Sequence, residues 1–217
     1  MAQVSRHQCL IYEGAPSRQL SALAAAASEK LNQGYRCLCL NSAPMIAGMR
    51  SYLAAASVDV EKALWDGSLV LTSEQSHLVD GRFDADRLMD TLGDTLERAL
   101  REGYSGLWAT GDMAWEMGPD RDFSRLLDYE WRLEEFFREQ PRMAGVCQYH
   151  VDTLPRTAVR HGVLTHGSLF VNETLSLINP YVSERGSIPD GLAENLELDA
   201  VIACLRHAAG TDEPAES

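Results

Sequence analysis

Short apolar runs alternate with amphipathic stretches along most of the chain, and this alternation limits what the chain can fold into. Each apolar run is followed by a stretch in which apolar residues recur at helical spacing. Strands that alternate with helices in this way connect through right-handed crossovers. The pattern therefore predicts an α/β fold with a mainly parallel sheet and helices on both faces. The five predicted parallel strands lie in residues 8–14, 35–42, 67–73, 107–112 and 143–150.

The predicted helices are marked by apolar stripes and by residues that favour helix ends. After the first strand, apolar residues in 20–31 form a stripe, and Gly34 suits a C-terminal cap. Residues 77–84 have the composition of a loop, and Asp84 is a good N-cap for a helix that ends near Gly103. Further helices are predicted in 45–56 and 122–140.

The pattern changes after Pro155. A short helical piece reaches Gly162, and two apolar runs flank Asn172 and Glu173, which predicts an antiparallel hairpin at the sheet edge. The predicted organisation is one α/β domain over 1–182, a linker at 183–190, a C-terminal helix at 191–209 and a disordered tail at 210–217.

The charge balance and the cysteines exclude several classes of protein. The chain has 32 acidic and 19 basic residues, a net charge of −13, which repels nucleic-acid backbones and anionic lipid. We therefore expect neither nucleic-acid nor membrane binding. The N-terminal residues lack the apolar core of a secretory signal, and no run approaches the ~20 apolar residues of a membrane span. Five cysteines without framework spacing are typical of reduced thiols, so we expect a cytoplasmic protein.

Polar and aromatic side chains follow three of the predicted strands, at the point where each strand ends. The carboxyl ends of parallel strands share one edge of a sheet, and ligands bind in the crevice along that edge. These side chains therefore predict a pocket there. They are Tyr12 and Glu13 after the first strand, Asp112, Met113 and Trp115 after the fourth, and Gln148, Tyr149 and His150 after the fifth.

Glu130 lies in the middle of the buried stripe of the helix predicted in 122–140. A carboxylate on an apolar face must be paired, protonated or bound to another group. Two interpretations stay open: Glu130 satisfies a loop amide or an arginine, or it binds a ligand.

Motifs for catalysis and for metal or phosphate binding are absent from the sequence. It contains no C-x-x-C, H-E-x-x-H or G-x-S-x-G. A metal site would have to be assembled from distant strands, and no serine stands out as a nucleophile. The turn after the first strand, YEGAPSRQL, lacks the further glycines and the Gly-Lys pair that hold a triphosphate. We expect a non-catalytic protein, and the sequence names no cofactor.

Eight short motifs follow one another in the chain: HQCLIYEG, LNQGYRCLCL, GRFD, GLWATGDMAWEM, LLDYEWRLEEFF, VCQYH, THGSLF and INPY. Together, from His7 to Tyr181, they resemble the MEDS domain, a sensory domain named after methanogen and methylotroph proteins and a dichloromethane-responsive regulator. The resemblance implies a three-layer RecA-like fold, similar to circadian-clock ATPase domains but without their phosphate loop. It also implies sensing of small molecules such as hydrocarbon derivatives, in proteins often fused to histidine kinases or helix-turn-helix regulators.

The resemblance also implies which residues matter for the site. Asp112 stands where the family usually has a glutamate. The other family-typical residues are His7, Cys9, Tyr12, Gly111, Met113, Trp115, Tyr129, Glu130, Cys147, Gln148, Tyr149 and His166.

These observations lead to one main hypothesis: a non-catalytic sensory domain that binds a small, partly apolar ligand. It would signal through a histidine kinase, a transcription factor or a homodimer. Trp115 and Tyr149 would supply stacking surface, and Asp112, Glu130 and His166 would orient polar groups. The predicted ligand-binding residues are His7, Cys9, Tyr12, Glu13, Asp112, Met113, Trp115, Glu130, Cys147, Tyr149 and His166.

Two alternatives stay open. The first is a metal-binding sensor or enzyme that uses His7, Cys9, Cys147 and His166 as ligands. The second is a degenerate nucleotide-binding protein.

The predicted C-terminal helix carries an apolar stripe that must be buried somewhere. It can pack on its own domain, on a second copy or on a partner. We favour association, because a sensor without an effector domain needs a surface that transmits its state. The stripe consists of Leu192, Leu196, Val201, Ile202 and Leu205.

Overall fold

In residues 5–171, 174–183 and 197–208, which the computed structural model describes, seven strands form one sheet and two more form a small hairpin. The strands are β1 (His7–Tyr12), β2 (Arg36–Leu40), β3 (Leu69–Thr72), β4 (Leu78–Val79), β5 (Arg82–Phe83), β6 (Leu107–Asp112), β7 (Met143–His150), β8 (Ser168–Val171) and β9 (Thr174–Ile178). The order in the sheet is β3-β2-β6-β7-β1-β8-β9. The first six are parallel, and β9 runs antiparallel to β8.

Helices cover both faces of this sheet. They are α1 (Leu20–Asn32), α2 (Ala43–Ala55), α3 (Val60–Trp65), α4 (Ala85–Arg101), α5 (Met113–Glu116), α6 (Leu126–Glu139), α7 (Arg156–Thr165) and α8 (Leu198–Ala208). Successive side chains of a strand alternate between faces. Cys9 and Ile11 of β1 therefore join the core under α4 to α8, and Leu10 and Tyr12 join the core under α1 to α3. The predicted three-layer α/β fold is confirmed.

The structure adds three elements to those predicted, namely helices α3 and α5 and the β4–β5 hairpin. Helix α3 begins after Asp59, whose carboxylate accepts a hydrogen bond from the Lys62 amide at 3.1 Å. The segment predicted to be a loop contains the β4–β5 hairpin. Its turn residues Asp80 and Gly81 have φ of 51° and 79°, the conformation that Asp-Gly favours in two-residue turns.

The predicted N-cap of α4 is confirmed. The Asp84 carboxylate accepts a hydrogen bond from the Arg87 amide at 3.0 Å, which satisfies one of the free amides of the first turn. The helix ends at Arg101, and Gly103 follows with a φ of 91°.

The predicted edge hairpin consists of β8 and β9, whose register runs from Ser168 opposite Ile178 to Val171 opposite Thr174. The predicted turn residues Asn172 and Glu173 lie outside the described residues. Among the helices that are described, none has the length and apolar character to cross a membrane.

Helix α8 packs on its own domain. Leu198, Val201 and Ile202 are buried in the same core as α4 to α7, and Asp199 pairs with Arg156 of α7 at 2.9 Å. Of the predicted stripe, Val201 and Ile202 are therefore buried on their own domain. Outside the described residues are 184–190 of the linker, Leu192, Leu196, the side chain of Leu205 and the tail at 210–217.

Candidate functional site

The Glu130 carboxylate lies in the core between α6, the sheet and α7, with no exposed surface. The helical spacing that buries Leu126 and Leu133 also turns Glu130 inward, as the sequence indicated. The Tyr149 hydroxyl donates a hydrogen bond to Oε1 of Glu130. Oε2 lies 3.5 Å from Nε2 of His7. The burial of Glu130 is therefore compensated by polar groups of β1 and β7.

Two further side chains complete what we call the Glu130 cluster, which consists of His7, Glu130, Cys147, Tyr149 and His166. Nε2 of His166 lies 3.5 Å from Oε2 of Glu130. Sγ of Cys147 lies 3.5 Å from Nε2 of His7 and 3.9 Å from Oε2 of Glu130. Strands β1 and β7, helix α6 and the residue after α7 each supply members of this buried cluster.

Outer contacts orient both imidazoles of the cluster. Nδ1 of His7 lies 2.9 Å from Oε2 of Glu134, and the ring stacks on Phe137 at 4.7 Å. Nδ1 of His166 lies 2.8 Å from the carbonyl oxygen of Gly162, to which it donates. That bond fixes the tautomer, so Nε2 of His166 presents a lone pair to Glu130 and has no hydrogen-bond partner.

The charges of the cluster follow from these contacts. Burial alone raises the pKa of Glu130, but His166, His7 and the Tyr149 hydroxyl outweigh it and hold that pKa below its usual value. Burial lowers the pKa of His7, but Glu130 and Glu134 reverse the effect and raise it. Burial and the charge on His7 lower the pKa of His166 to about 4. These contacts favour the ionised form of Glu130, the protonated form of His7 and the neutral form of His166.

A second polar group lies at the carboxyl ends of the strands, on the opposite face of the sheet. The Tyr12 hydroxyl donates to Asp112 at 3.1 Å, and the Tyr12 ring stacks on His150 at 4.6 Å. The Gln19 amide donates to the Tyr12 hydroxyl at 3.2 Å, and the Gln148 amide donates to Thr110 at 2.9 Å. These groups bond mainly to one another and to the backbone.

The prediction that these residues line a single pocket at the strand ends is therefore wrong. Tyr149 and Gln148 are neighbours in β7 and face opposite cores, so the predicted residues divide between the two faces. His7, Cys147, Glu130, Tyr149 and His166 come together, with Cys9 beside Cys147 in the register of the sheet. The predicted residues that lie elsewhere are Tyr12, Glu13, Asp112, Met113 and Trp115.

Asp112, Met113 and Trp115 have structural surroundings. The Asp112 carboxylate caps α5 by accepting a hydrogen bond from the Trp115 amide at 2.9 Å. Met113 is buried in the core, and the half-buried Trp115 ring contacts His77 edge-on at 5.5 Å. The strand ends at Asp112 because this residue starts a helical turn. Glu13, which directly follows β1, is half-buried.

The turn after β1 is closed by a carboxylate. The Gly14 amide donates to Asp152 at 2.7 Å, and His150 donates to the Gly14 carbonyl at 2.9 Å. A phosphate loop needs free amides at this position. In this turn the Gly14 amide is already occupied by the Asp152 carboxylate.

Sequence reasoning missed Glu116 and Glu134 as site residues. Glu116 is only 3% exposed, and the Tyr129 hydroxyl lies 3.5 Å from Oε2 of Glu116. A side chain at position 111 would collide with the Glu116 carboxylate, which explains Gly111. The position of Glu116 four residues after the end of a buried strand was the available signal. Glu134, one helical turn after Glu130, gave a similar signal for a contact on the same face.

A mostly apolar cavity of about 30 Å³ lies next to the cluster, between the sheet and helices α4 and α6. Glu116 and Cys147 provide polar groups in its wall. It can hold a molecule of only a few atoms, since a single water occupies roughly 10–15 Å³ on such a scale. The lining is Leu40, Leu88, Leu92, Ala109, Thr110, Gly111, Glu116, Tyr129, Leu133, Phe137, Met143, Val146 and Cys147.

Replacing Glu116 with glutamine is expected to change how stability depends on pH. Burial, followed by the charges of Glu130 and Asp112, raises the pKa of Glu116 well above its usual 4.5. A raised carboxyl pKa stabilises the folded state fully below the unfolded pKa, and this contribution is lost as pH rises through the folded pKa. Glu116→Gln should therefore gain stability relative to the parent protein in urea denaturation as the pH rises above the usual 4.5 of the carboxyl group. Glu139→Gln, at an exposed position of α6, is the control, and equal pH dependence in all three proteins would contradict the prediction.

Comparisons with known proteins identify the family of the chain. Residues 6–167 match the family described as MEDS, the methanogen/methylotroph, DcmR sensory domain. The transcriptional repressor DcmR of Methylorubrum extorquens is 24% identical over 160 residues, which are 74% of this chain and 57% of that protein. The chain thus matches little more than half of the length of this relative.

Solved structures show the same fold at low sequence identity. A KaiC-like protein from Pyrococcus horikoshii has a TM-score of 0.51 and 11% identity over 77% of this chain and 71% of that one. The flagellar accessory protein FlaH of Methanocaldococcus jannaschii has a TM-score of 0.56 and 13% identity over 82% and 80%. The predicted RecA/KaiC-like fold is confirmed. With the family match over most of the chain, the protein belongs to the MEDS family of sensory domains.

Proposed function

We propose that this chain is a non-catalytic sensory domain that binds a small, partly apolar ligand in the cavity between β6, β7, α4 and α6. The observation that carries the proposal is the composition of the cavity wall: it is mainly aliphatic, with the Glu116 carboxyl and the Cys147 thiol among its few polar groups. A few polar anchors in an apolar wall are typical of small-molecule sites.

The size of the cavity limits the ligand class. About 30 Å³ accommodates a molecule of a few heavy atoms without rearrangement. Burial raises the pKa of both Glu116 and Cys147 well above their usual values, so each presents a protonated, uncharged group to the cavity. A neutral molecule with one polar atom suits such a wall better than an anion does.

A sensory domain must also pass its ligand-bound state to another molecule. A ligand that binds only the closed packing of α4 and α6 on the sheet stabilises that packing by mass action. We propose that a regulatory protein, such as a histidine kinase or a transcription factor, or a second copy of the chain reads this state. The similarity to a transcriptional repressor supports regulation as the output.

Thermal unfolding with a panel of short alcohols and chloroalkanes tests the cavity. At a concentration near 100 times its Kd, a bound ligand stabilises the folded state by about 2.7 kcal/mol and raises the Tm by a few degrees. Ala109→Val adds two methyl groups within the cavity and should remove the Tm increase. Ala144→Val is the matched control, because Ala144 is equally buried at 8% exposure but belongs to the core on the opposite face.

Two results would contradict the cavity proposal. One is a panel in which no compound raises the Tm of the parent protein. The other is an equal Tm increase in Ala109→Val and in the parent protein, which would place the ligand elsewhere.

A further inference from the structure

We propose that the Glu130 cluster binds one divalent metal ion, with zinc as the best-matched metal, through Nε2 of His7, Oε2 of Glu130, Sγ of Cys147 and Nε2 of His166. These four atoms lie within 4.8 Å of one another, and all four residues are buried. The inference rests on the geometry of the cluster and does not depend on the ligand cavity.

Four of the six distances between the four atoms are close to the edges of a tetrahedral site. They are 3.5, 3.5, 3.5 and 3.9 Å, and the other two do not exceed 4.8 Å. A tetrahedron whose edges are about 3.5 Å has its centre about 2.1 Å from each corner, close to the metal–ligand bonds of zinc with imidazole, carboxylate and thiolate. The atoms therefore already surround a space of the size that the ion needs.

The outer contacts prepare both histidines for coordination. Metal-bound imidazoles almost always donate their other N–H to a carboxylate or a backbone carbonyl. His7 has Glu134 in that place and His166 has the Gly162 carbonyl. Nε2 of His166 is fully buried, has no hydrogen-bond partner and faces a carboxylate oxygen. A cation between these two atoms removes an otherwise unfavourable contact between lone pairs.

The charges of the ligand set balance the ion. Two neutral imidazoles, one carboxylate and one thiolate make a neutral centre with a divalent cation, which a buried site tolerates. Cys147 gives up its thiol proton, and His7 the proton that it holds, to solvent when the metal binds. The mixed set of nitrogen, sulfur and oxygen ligands is one that zinc accepts and that magnesium and calcium do not favour.

A surface cleft reaches one member of the cluster, His7. The cleft of about 360 Å³ has His7 and Glu134 in its wall, and Glu134 is half-exposed. Arg6 and Arg138 also line the cleft, so its charge is mixed. Glu134 is the carboxylate that is exposed to solvent and also contacts His7.

Cobalt binding to the untagged protein tests this site. The probe is Co²⁺ added to chelator-treated protein, followed by zinc displacement and elemental analysis. We expect one equivalent per chain, the visible bands of tetrahedral cobalt, a thiolate-to-cobalt charge-transfer band and a higher Tm with metal. Cys147→Ser should lose the charge-transfer band. Cys9→Ser is the matched control and should keep it, because Cys9 faces the same core and pairs with Cys147 in register but lies outside the four-atom group.

Different results would overturn the metal site itself and the choice of its ligands. Failure of the parent protein to hold either metal would overturn the proposal without relying on any variant. A charge-transfer band that survives in Cys147→Ser, or that is lost in a folded Cys9→Ser, would overturn the ligand set. Circular dichroism establishes that both variants are folded. Cys147 also lines the cavity, so the Ala109→Val experiment is carried out on metal-free protein, which keeps its outcome separate from these results.

Discussion

Replacing Glu130 with alanine is expected to destabilise the protein by about 3–5 kcal/mol, the range for breaking a buried charge pair from one side. The substitution leaves His7 without its buried partner, the Tyr149 hydroxyl without its acceptor, and a void in the core. Urea denaturation at neutral pH measures the loss as a lower midpoint. A variant that does not fold at all is consistent with a loss of this size.

The control for this substitution lies on the same helix. Glu135→Ala removes an exposed carboxylate that pairs with Arg138 at 3.4 Å, and its expected effect is less than about 1 kcal/mol. If Glu130→Ala were as stable as Glu135→Ala, the cluster would have no role in stability. Glu130→Gln, which keeps the shape and removes the charge, separates the charge from the packing.

Replacing Gly145 with alanine is expected to destabilise the protein by about 2–3 kcal/mol, the upper range for overpacking a core. A Cβ at position 145 would lie 2.5 Å from the Ala109 carbonyl oxygen and 3.0 Å from Cζ of Phe137. The carbonyl belongs to the neighbouring strand β6 and cannot move without disturbing the sheet. Phe137 stacks on His7, so the substitution should also disturb the Glu130 cluster.

Gly93→Ala is the matched control for this glycine. Gly93 lies inside α4, and a Cβ there would meet no atom within 4 Å. Alanine should therefore stabilise the helix by roughly 0.5–1 kcal/mol. Thermal and urea unfolding measure the change in stability of both variants, which should be a loss for Gly145→Ala and a gain for Gly93→Ala. A Gly145→Ala variant as stable as the parent protein would show that the sheet can absorb the extra carbon.

The sequence by itself determined the layers of this protein. Apolar runs of strand length and stripes at helical spacing are local properties, so strands such as β7 could be located from residues 143–150 alone. The inward position of Glu130 followed in the same way from its place on the α6 stripe. Adjacent residues of a strand face opposite sides of the sheet, so the sequence of β7 already implied that Tyr149 and Gln148 lie on different faces. The prediction of a single pocket did not take this into account.

Only the tertiary structure decided which side chains meet. Whether His7 lies beside Cys147 depends on β1 pairing with β7, and the distance from Glu130 to His166 depends on how α6 and α7 dock on that pair. Local periodicity fixes the face on which a side chain lies, but the order of the strands is set by burial and pairing over the whole chain. For this reason the sequence could offer His7, Cys147 and His166 as scattered candidates. The fold brought them around Glu130.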